Sequence, residues 1–493
     1  MLACAVAGAA RGGLDVGVTE DAGKGSSGAA FFATLQDIGL TVNRVAVNWN
    51  PATPATIPLL DEMQGWIPQA QASGTRIAFA VAPLGATDLF SPSAKAQFVA
   101  FVGQLARAFP TVKDYVIGNE PNVNYFWQPQ FNGKGTALSA AAYEPVLAAS
   151  YDALKAVDPA NTVIGVGLSP RGNDNPRATS NPSRSPVRYL HDLGAVYRAS
   201  RRTTPLMDEL GFHPYPSRNT DSPTLGYTWP NAGLPNLGRI KQGFWDAFRR
   251  TAQPTFAEPG NKFARPLRLD LDEAGGQVAP LPALAGLYFG VETDKPVSEQ
   301  TQANYYRSVI TSTECDPSVR MLSLFHLVDE PNLDRWQSGL ERADGSHRAA
   351  YDAVKNTIAR THGNCQGRRV RWRHATAVVL PVAAWGNLRK LQPGRRTGWS
   401  FKAGAGEEAT FRAGIFKAGL KKGVLARRLA SGRPRPLLFS RGRITAKKRV
   451  VRFPQRRLKP GKYVYAIRMS ATMNPVRVSV LVSRAFRVAR ARR

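Results

Sequence analysis

Eight short apolar runs mark the first 360 residues of this chain, at 14–19, 42–48, 76–81, 115–118, 162–167, 209–212, 267–271 and 321–327. Runs this short and this rich in β-branched residues read as buried strands, and the stretches between them are long enough for helices. Over 94–108, Phe98, Phe101, Val102 and Leu105 fall on one helical face; over 346–358, Ala350, Val354 and Ile358 do the same, with Ser346 placed to cap. A repeated strand–helix unit implies a parallel sheet covered by helices. Eight units in about 350 residues favour closure into a (β/α)8 barrel over an open sheet. No Gly-x-Gly-x-x-Gly follows the first strand, which weighs against a dinucleotide-binding open sheet.

Charge divides the 493 residues in two. Residues 366–493 hold 34 Lys and Arg against 2 acids, whereas residues 1–365 hold 32 basic and 33 acidic side chains, so the formal +31 belongs wholly to the C-terminal part. The expected organisation is therefore a barrel over 14–365 and a basic domain over 366–493. In the basic part, strand-like runs occur at 409–416, 449–453, 463–469 and 476–482, with turns at Pro460-Gly461-Lys462 and Met473-Asn474-Pro475. Short strands with polar turns predict a small all-β, immunoglobulin-like sandwich. The clusters Lys421-Lys422, Arg427-Arg428, Lys447-Lys448-Arg449 and Arg456-Arg457 suit either an anionic cell-surface polymer or a plain solvated surface. No groove-reading motif is present, so no specific nucleic acid is expected.

Of three cysteines, Cys4 lies in a small-residue segment ending in Ala-x-Ala, which reads as the remnant of a secretory signal over 1–13. No run approaches the roughly 18 apolar residues of a membrane-spanning helix. Cys315 and Cys365 are then either a disulfide or two separate thiols; a bridge would close a loop worth roughly 4 kcal/mol of chain entropy. By position, both fall at the barrel end opposite the C-terminal ends of the strands.

Two carboxylates end strands. Glu120 closes Val116-Ile117-Gly118-Asn119-Glu120-Pro121-Asn122, after the fourth run, and Glu273 closes Leu269-Asp270-Leu271-Asp272-Glu273, after the seventh. Chemistry in a (β/α)8 barrel sits at these strand ends. A protonated acid at a leaving oxygen and an ionised carboxylate at the anomeric carbon are what glycosidic cleavage needs. Trp49, Tyr125, Phe126, Trp127, Tyr227, Trp229 and Trp336 follow strands or lie in loops on the same face, either to stack on a pyranose or to plug the mouth as lids. No dense His/Cys/Asp ligand set appears, so no metal and no cofactor is expected.

Gly118-Asn119-Glu120-Pro121-Asn122 resembles the fourth-strand motif of the clan A retaining glycoside hydrolases. That resemblance implies an acid/base role for Glu120 and a grip on the sugar 2-hydroxyl for Asn119. Asp272-Glu273-Ala274-Gly275 is similar to the clan's Thr-Glu-x-Gly with Asp for Thr, which implies that Glu273 is the nucleophile. Arg44 fills the clan's second-strand arginine near that nucleophile. Phe212-His213-Pro214-Tyr215 resembles its His-x-Tyr, and Trp336 stands near its eighth-strand aromatic platform. The resemblance covers roughly residues 14–361 and implies a retaining hydrolase of β-linked carbohydrate, with substrate contacts from Asn119, Arg44, His213, Tyr215 and Trp336; Trp49 and Trp127 join them as rings on the catalytic face, and the signal-like segment adds the expectation of a secreted or surface-associated chain, read as a monomer. The alternative is a non-catalytic carbohydrate-binding or adhesion protein on the same scaffold.

Overall fold

A computed structural model describes residues 13–24, 28–259, 265–379, 392–394, 398–445, 449–454 and 458–488. The segment with Cys4 and the pairs Lys447-Lys448 and Arg456-Arg457 lie outside the described residues. Two compact units emerge, one reaching Tyr227 and resuming over Asn231–Trp372, the other holding Thr228–Pro230 and the chain from Arg373.

The first unit is a closed barrel of eight parallel strands in chain order: β1 Asp15–Thr19, β2 Val42–Trp49, β3 Arg76–Pro83, β4 Asp114–Ile117, β5 Thr162–Leu168, β6 Glu209–Phe212, β7 Arg268–Ala274 and β8 Val319–Leu324. Each corresponds to one of the eight apolar runs. Between and after them lie α1 Gly28–Ile38, α2 Leu60–Ala72, α3 Pro92–Ala108, α4 Ser139–Val157, α5 Pro186–Ser200, α6 Leu237–Phe248, α7 Glu299–Thr313 and α8 Ala349–Thr361. In α3, Ser91 Oγ accepts from the Ala94 N–H, Pro92 occupies the first turn, and Phe98, Phe101, Val102 and Leu105 are buried. Ser346 does not cap α8: its Oγ turns to Asp344 Oδ1 at 2.6 Å, and the helix begins after Arg348.

Strand parity sorts the side chains. On β2, Val45, Val47 and Trp49 join the apolar layer beneath the helices, while Arg44 faces the interior. Apolar side chains fill much of that interior, with Val42, Ala78 and Met321 in one cluster and Ala80, Val116 and Ile164 in another. Among them, Arg320 of β8 reaches Glu209 at 2.5 Å, Asp270 at 2.9 Å and Asp114 at 3.1 Å. Burial alone would raise the Asp114 carboxyl, but Arg320 and Arg76 hold it below its ordinary range. A disulfide joins Cys315, after α7, to Cys365, after α8.

The second unit is antiparallel. One sheet orders β9 Gln392–Gly394, β10 Gly398–Ala403 and β13 Arg449–Arg452 as β13-β10-β9. The other orders β11 Ala409–Lys417, β12 Leu438–Ile444, β14 Gly461–Ala471 and β15 Val478–Val482 as β12-β11-β14-β15, with β16 Phe486–Val488 beside β14. Phe401 and Val451 from the first meet Phe411, Ile415, Tyr465 and Ile467 from the second in one core. One helix, α9 Lys422–Ser431, is added to this antiparallel β domain. Only Leu425 and Leu429 anchor it, on Phe416, Val464 and Ala466, so its apolar period is too sparse to stand out among its cations.

Candidate active site

Glu120 hangs from a turn that the sequence around it builds. Gly118 adopts φ 79°, and a side chain there would strike the Tyr143 ring at 3.0 Å. Glu120 itself takes φ 38°, a left-handed conformation that costs a non-glycine residue about 1–3 kcal/mol. The surroundings hold it there. Its N–H donates to Gly167 O at 2.9 Å, and buried Asn122 ties the turn to the β5 loop by accepting from Ser169 N–H and donating to Arg184 O, both at 2.9 Å.

Glu273 arrives by a different device. The β7–β8 register shifts between Leu271 and Ala274, the mark of a bulge. A regular strand would send Asp272 and Glu273 to opposite faces, yet both carboxylates lie within ion-pair reach of Arg44 and His213. Arg44 Nη1 donates to Glu273 Oε1 at 3.1 Å and Nη2 to Asn119 Oδ1 at 3.1 Å, so one guanidinium from within β2 joins the ends of β4 and β7. Tyr215 Oη donates to the other carboxylate oxygen, Glu273 Oε2, at 3.2 Å.

His213 lies beneath both glutamates. Its Nδ1 stands 2.8 Å from Glu120 Oε1 and 3.4 Å from Glu273 Oε2, and its Nε2 stands 3.5 Å from Asp272 Oδ1. The glutamate side chains keep 14% and 13% exposure, whereas His213 and Asp272 keep none. The glutamates therefore meet solvent, and the histidine and aspartate form their floor. Burial by itself would push the His213 imidazolium down; the negative charges of Glu273 and Asp272 overcome that and carry it up to about 10. Burial would raise Asp272, but His213 and Arg44 hold it below its usual range. Burial, reinforced by the charges of Glu273 and Glu120, pushes the Tyr215 phenol well up, so it stays a donor.

The expected substrate contacts divide accordingly. Asn119, Arg44 and Tyr215 gather around Glu120 and Glu273, and the Trp336 ring stacks on Tyr215 with centroids 5.1 Å apart. His213 is corrected from a substrate contact to a buried bridge between carboxylates. Trp49 is also corrected: it is fully buried against Phe98 and donates to Pro54 O. Trp127 is likewise buried, edge-on to Tyr143, so neither indole offers a face to a sugar. Asp272 was absent from the expected contacts, although an Asp-Glu pair at a strand end was the available signal. Among the described residues, no group of three or more His, Cys, Asp or Glu side chains is arranged to hold a metal ion.

No protein-family model matches the sequence, and no curated protein does. Solved structures of glycoside hydrolases are similar to it. A family 39 glycoside hydrolase from Bacteroides cellulosilyticus is similar at 13% identity and TM-score 0.48, over 90% of this chain and 81% of that one. An exo-β-1,4-mannosidase from an Opitutaceae bacterium gives 15% and 0.43, over 71% and 60%. The family 1 β-glucosidase from Thermotoga maritima gives 10% and 0.45, over 72% and 98%. All three scores fall below 0.5, so the reading below rests on the residues themselves.

Proposed function

We propose that this chain is a retaining glycoside hydrolase of β-linked sugars, with Glu120 as acid/base and Glu273 as nucleophile. One observation carries the reading. Because His213 Nδ1 lies 2.8 Å from an oxygen of Glu120 and 3.4 Å from one of Glu273, those oxygens stand no more than about 6.2 Å apart. That limit accommodates the roughly 5–5.5 Å of retaining pairs.

In the first step Glu120 gives its proton to the leaving oxygen while a Glu273 oxygen attacks the anomeric carbon, forming a glycosyl ester. In the second, Glu120, now a carboxylate, takes a proton from water as that water attacks the same carbon and frees Glu273. Arg44 and Tyr215 orient the nucleophile, each donating to one of its oxygens. Asn119, fixed by Arg44, is placed to meet the 2-hydroxyl. Trp336, stacked on Tyr215, supplies the flat apolar wall.

Glu120→Gln and Glu273→Gln should each lower kcat/KM on aryl β-glycosides by at least about a hundredfold while sugar binding persists. NMR of the wild-type reaction should show the β anomer first. A wild type that binds sugars and turns none over would favour the adhesion reading, and α anomer first would refute retention.

The disulfide supports secretion, since such bridges persist in oxidising compartments. Among the described residues no helix is long and apolar enough to cross a membrane. In the β domain, Arg441, Arg412 and Arg468 are direct cross-strand partners on β12, β11 and β14. Like charges set opposite one another repel. Residues 366–493 hold only two acids, Glu407 and Glu408, and Glu407 is already paired bidentately with buried Arg477. An acidic polysaccharide is the partner that would relieve this row.

A further inference from the structure

The connection after β7 has a composition that carbohydrate hydrolysis does not call for. From Val278 to Val291 the chain has no charged, amide, serine or threonine side chain, and its only polar group is the Tyr288 phenol. A run like this belongs in a core, yet Leu281, Leu287, Phe289 and Val291 are exposed by 40%, 45%, 64% and 71%. The pattern extends around the barrel: with Val370 as the exception, every large apolar side chain that the barrel unit exposes among its described residues lies on a connection following a strand, the catalytic side. Scattered exposed apolar groups are ordinary; a concentration at one face is not.

The lip is also held in place. Tyr288 Oη donates to Asp329 Oδ2 at 2.7 Å, and Asp329 is clamped by buried Arg348 at 2.8 and 2.5 Å. Asn219 pins both ends of the run, donating to Gln277 O at 2.7 Å and Lys295 O at 3.0 Å. Phe289 exchanges backbone hydrogen bonds with the connection after β8, its N–H donating to Pro331 O at 3.0 Å and its carbonyl accepting from Leu333 N–H at 2.7 Å. That second connection continues to Trp336, whose ring lies on Tyr215, which in turn bonds Glu273. An ordered apolar lip is thus built onto the segment that carries the sugar platform.

We infer that the βα7 lip receives a long apolar aglycone, so that the substrate class is a glycoside with an alkyl or lipid-like group. The inference rests on the hydrolase reading above for the position of the sugar. Continuity with Trp336 and Glu273 selects this occupant over a membrane or a second copy of the chain. Aliphatic Leu281, Leu287 and Val291 have no flat ring to stack on a pyranose but pack readily on methylenes.

The test uses n-alkyl β-glucosides and β-galactosides from methyl to dodecyl, below their micelle concentrations, on the full chain. Turnover is read as kcat/KM with the wild type, and binding as tryptophan fluorescence with Glu120→Gln. Both should strengthen with chain length, up to roughly fourfold for each methylene fully buried. Phe289→Ser/Val291→Ser, checked for folding by circular dichroism, should flatten both slopes. Flat slopes in the wild type, or unchanged slopes in the double variant, would overturn the inference. So would a lip that serves only vesicle adsorption or a dimer, each lost in the double variant while the alkyl series stays flat. A wild type that hydrolyses no glycoside but still binds longer chains more tightly would remove the hydrolase reading and leave the apolar site standing.

Discussion

Replacing Asp272 by Asn removes a negative charge from the floor of the site while keeping the side chain's shape. Asp272 faces His213 Nε2 at 3.5 Å and Arg44 Nε at 3.7 Å, and it is fully buried. At an effective dielectric near 20, unit charges at that distance attract by roughly 5 kcal/mol before desolvation. Part of that is offset by Asp272's own burial. Removing one partner of a buried pair costs about 3–5 kcal/mol, because the other partner is left charged and dry. Urea unfolding of Asp272→Asn at neutral pH should show a loss of about that size.

The pH dependence separates this account from simple damage. His213 sits at about 10 in the fold against roughly 6.5 unfolded, so its stabilisation is complete below about 6.5 and disappears as pH rises through 10. Asp272 is held below its ordinary value, so its contribution is present at neutral pH and lost as pH falls into the acid range. The gap between wild type and variant should be widest between about pH 5 and 8 and narrow towards 10. The groups facing His213 are Glu120, Glu273 and Asp272, with the Tyr215 phenol beside Glu273. Without Asp272 the imidazolium loses a proton more easily, so the variant's stability should stop falling at a lower pH than the wild type's. A stability gap that stays constant from pH 6 to 10 would refute the reasoning.

Arg320→Met strands two interior acids, Glu209 and Asp270, leaves Asp114 to Arg76 alone, and should cost about 3–5 kcal/mol in thermal unfolding. Lys355→Met breaks only the exposed pair with Asp37 and should change little; equal losses from the two would disprove a special role for the barrel network. The full chain should bind polygalacturonate with an affinity that falls steeply with salt and weakens on Arg441→Ser/Arg468→Ser. Equal binding to a neutral glucan would reject the acidic-polymer reading.

The barrel was legible because parallel strands buried on both faces read as short apolar-rich runs, and each of the eight such runs became a strand. Glu120 and Glu273 were legible as acids at strand ends, and Arg44 and Tyr215 through the resemblance of their segments to the clan A motifs. Trp49 was misread although the remedy lay in the sequence: if Arg44 faces the interior, a residue five positions on in a regular strand faces the helices. The same rule applied to β7 would have separated Asp272 from Glu273, and there it would have misled. What brings those two acids together is a register shift against β8, a property of the pair of strands that neither strand's sequence displays. His213 shows the complementary limit: a histidine after a strand was visible, but the three carboxylates around it come from β7 and the end of β4, and only closure of the barrel makes them neighbours. Strand periodicity thus locates side chains one strand at a time, whereas the charge state of this site is set by contacts between strands.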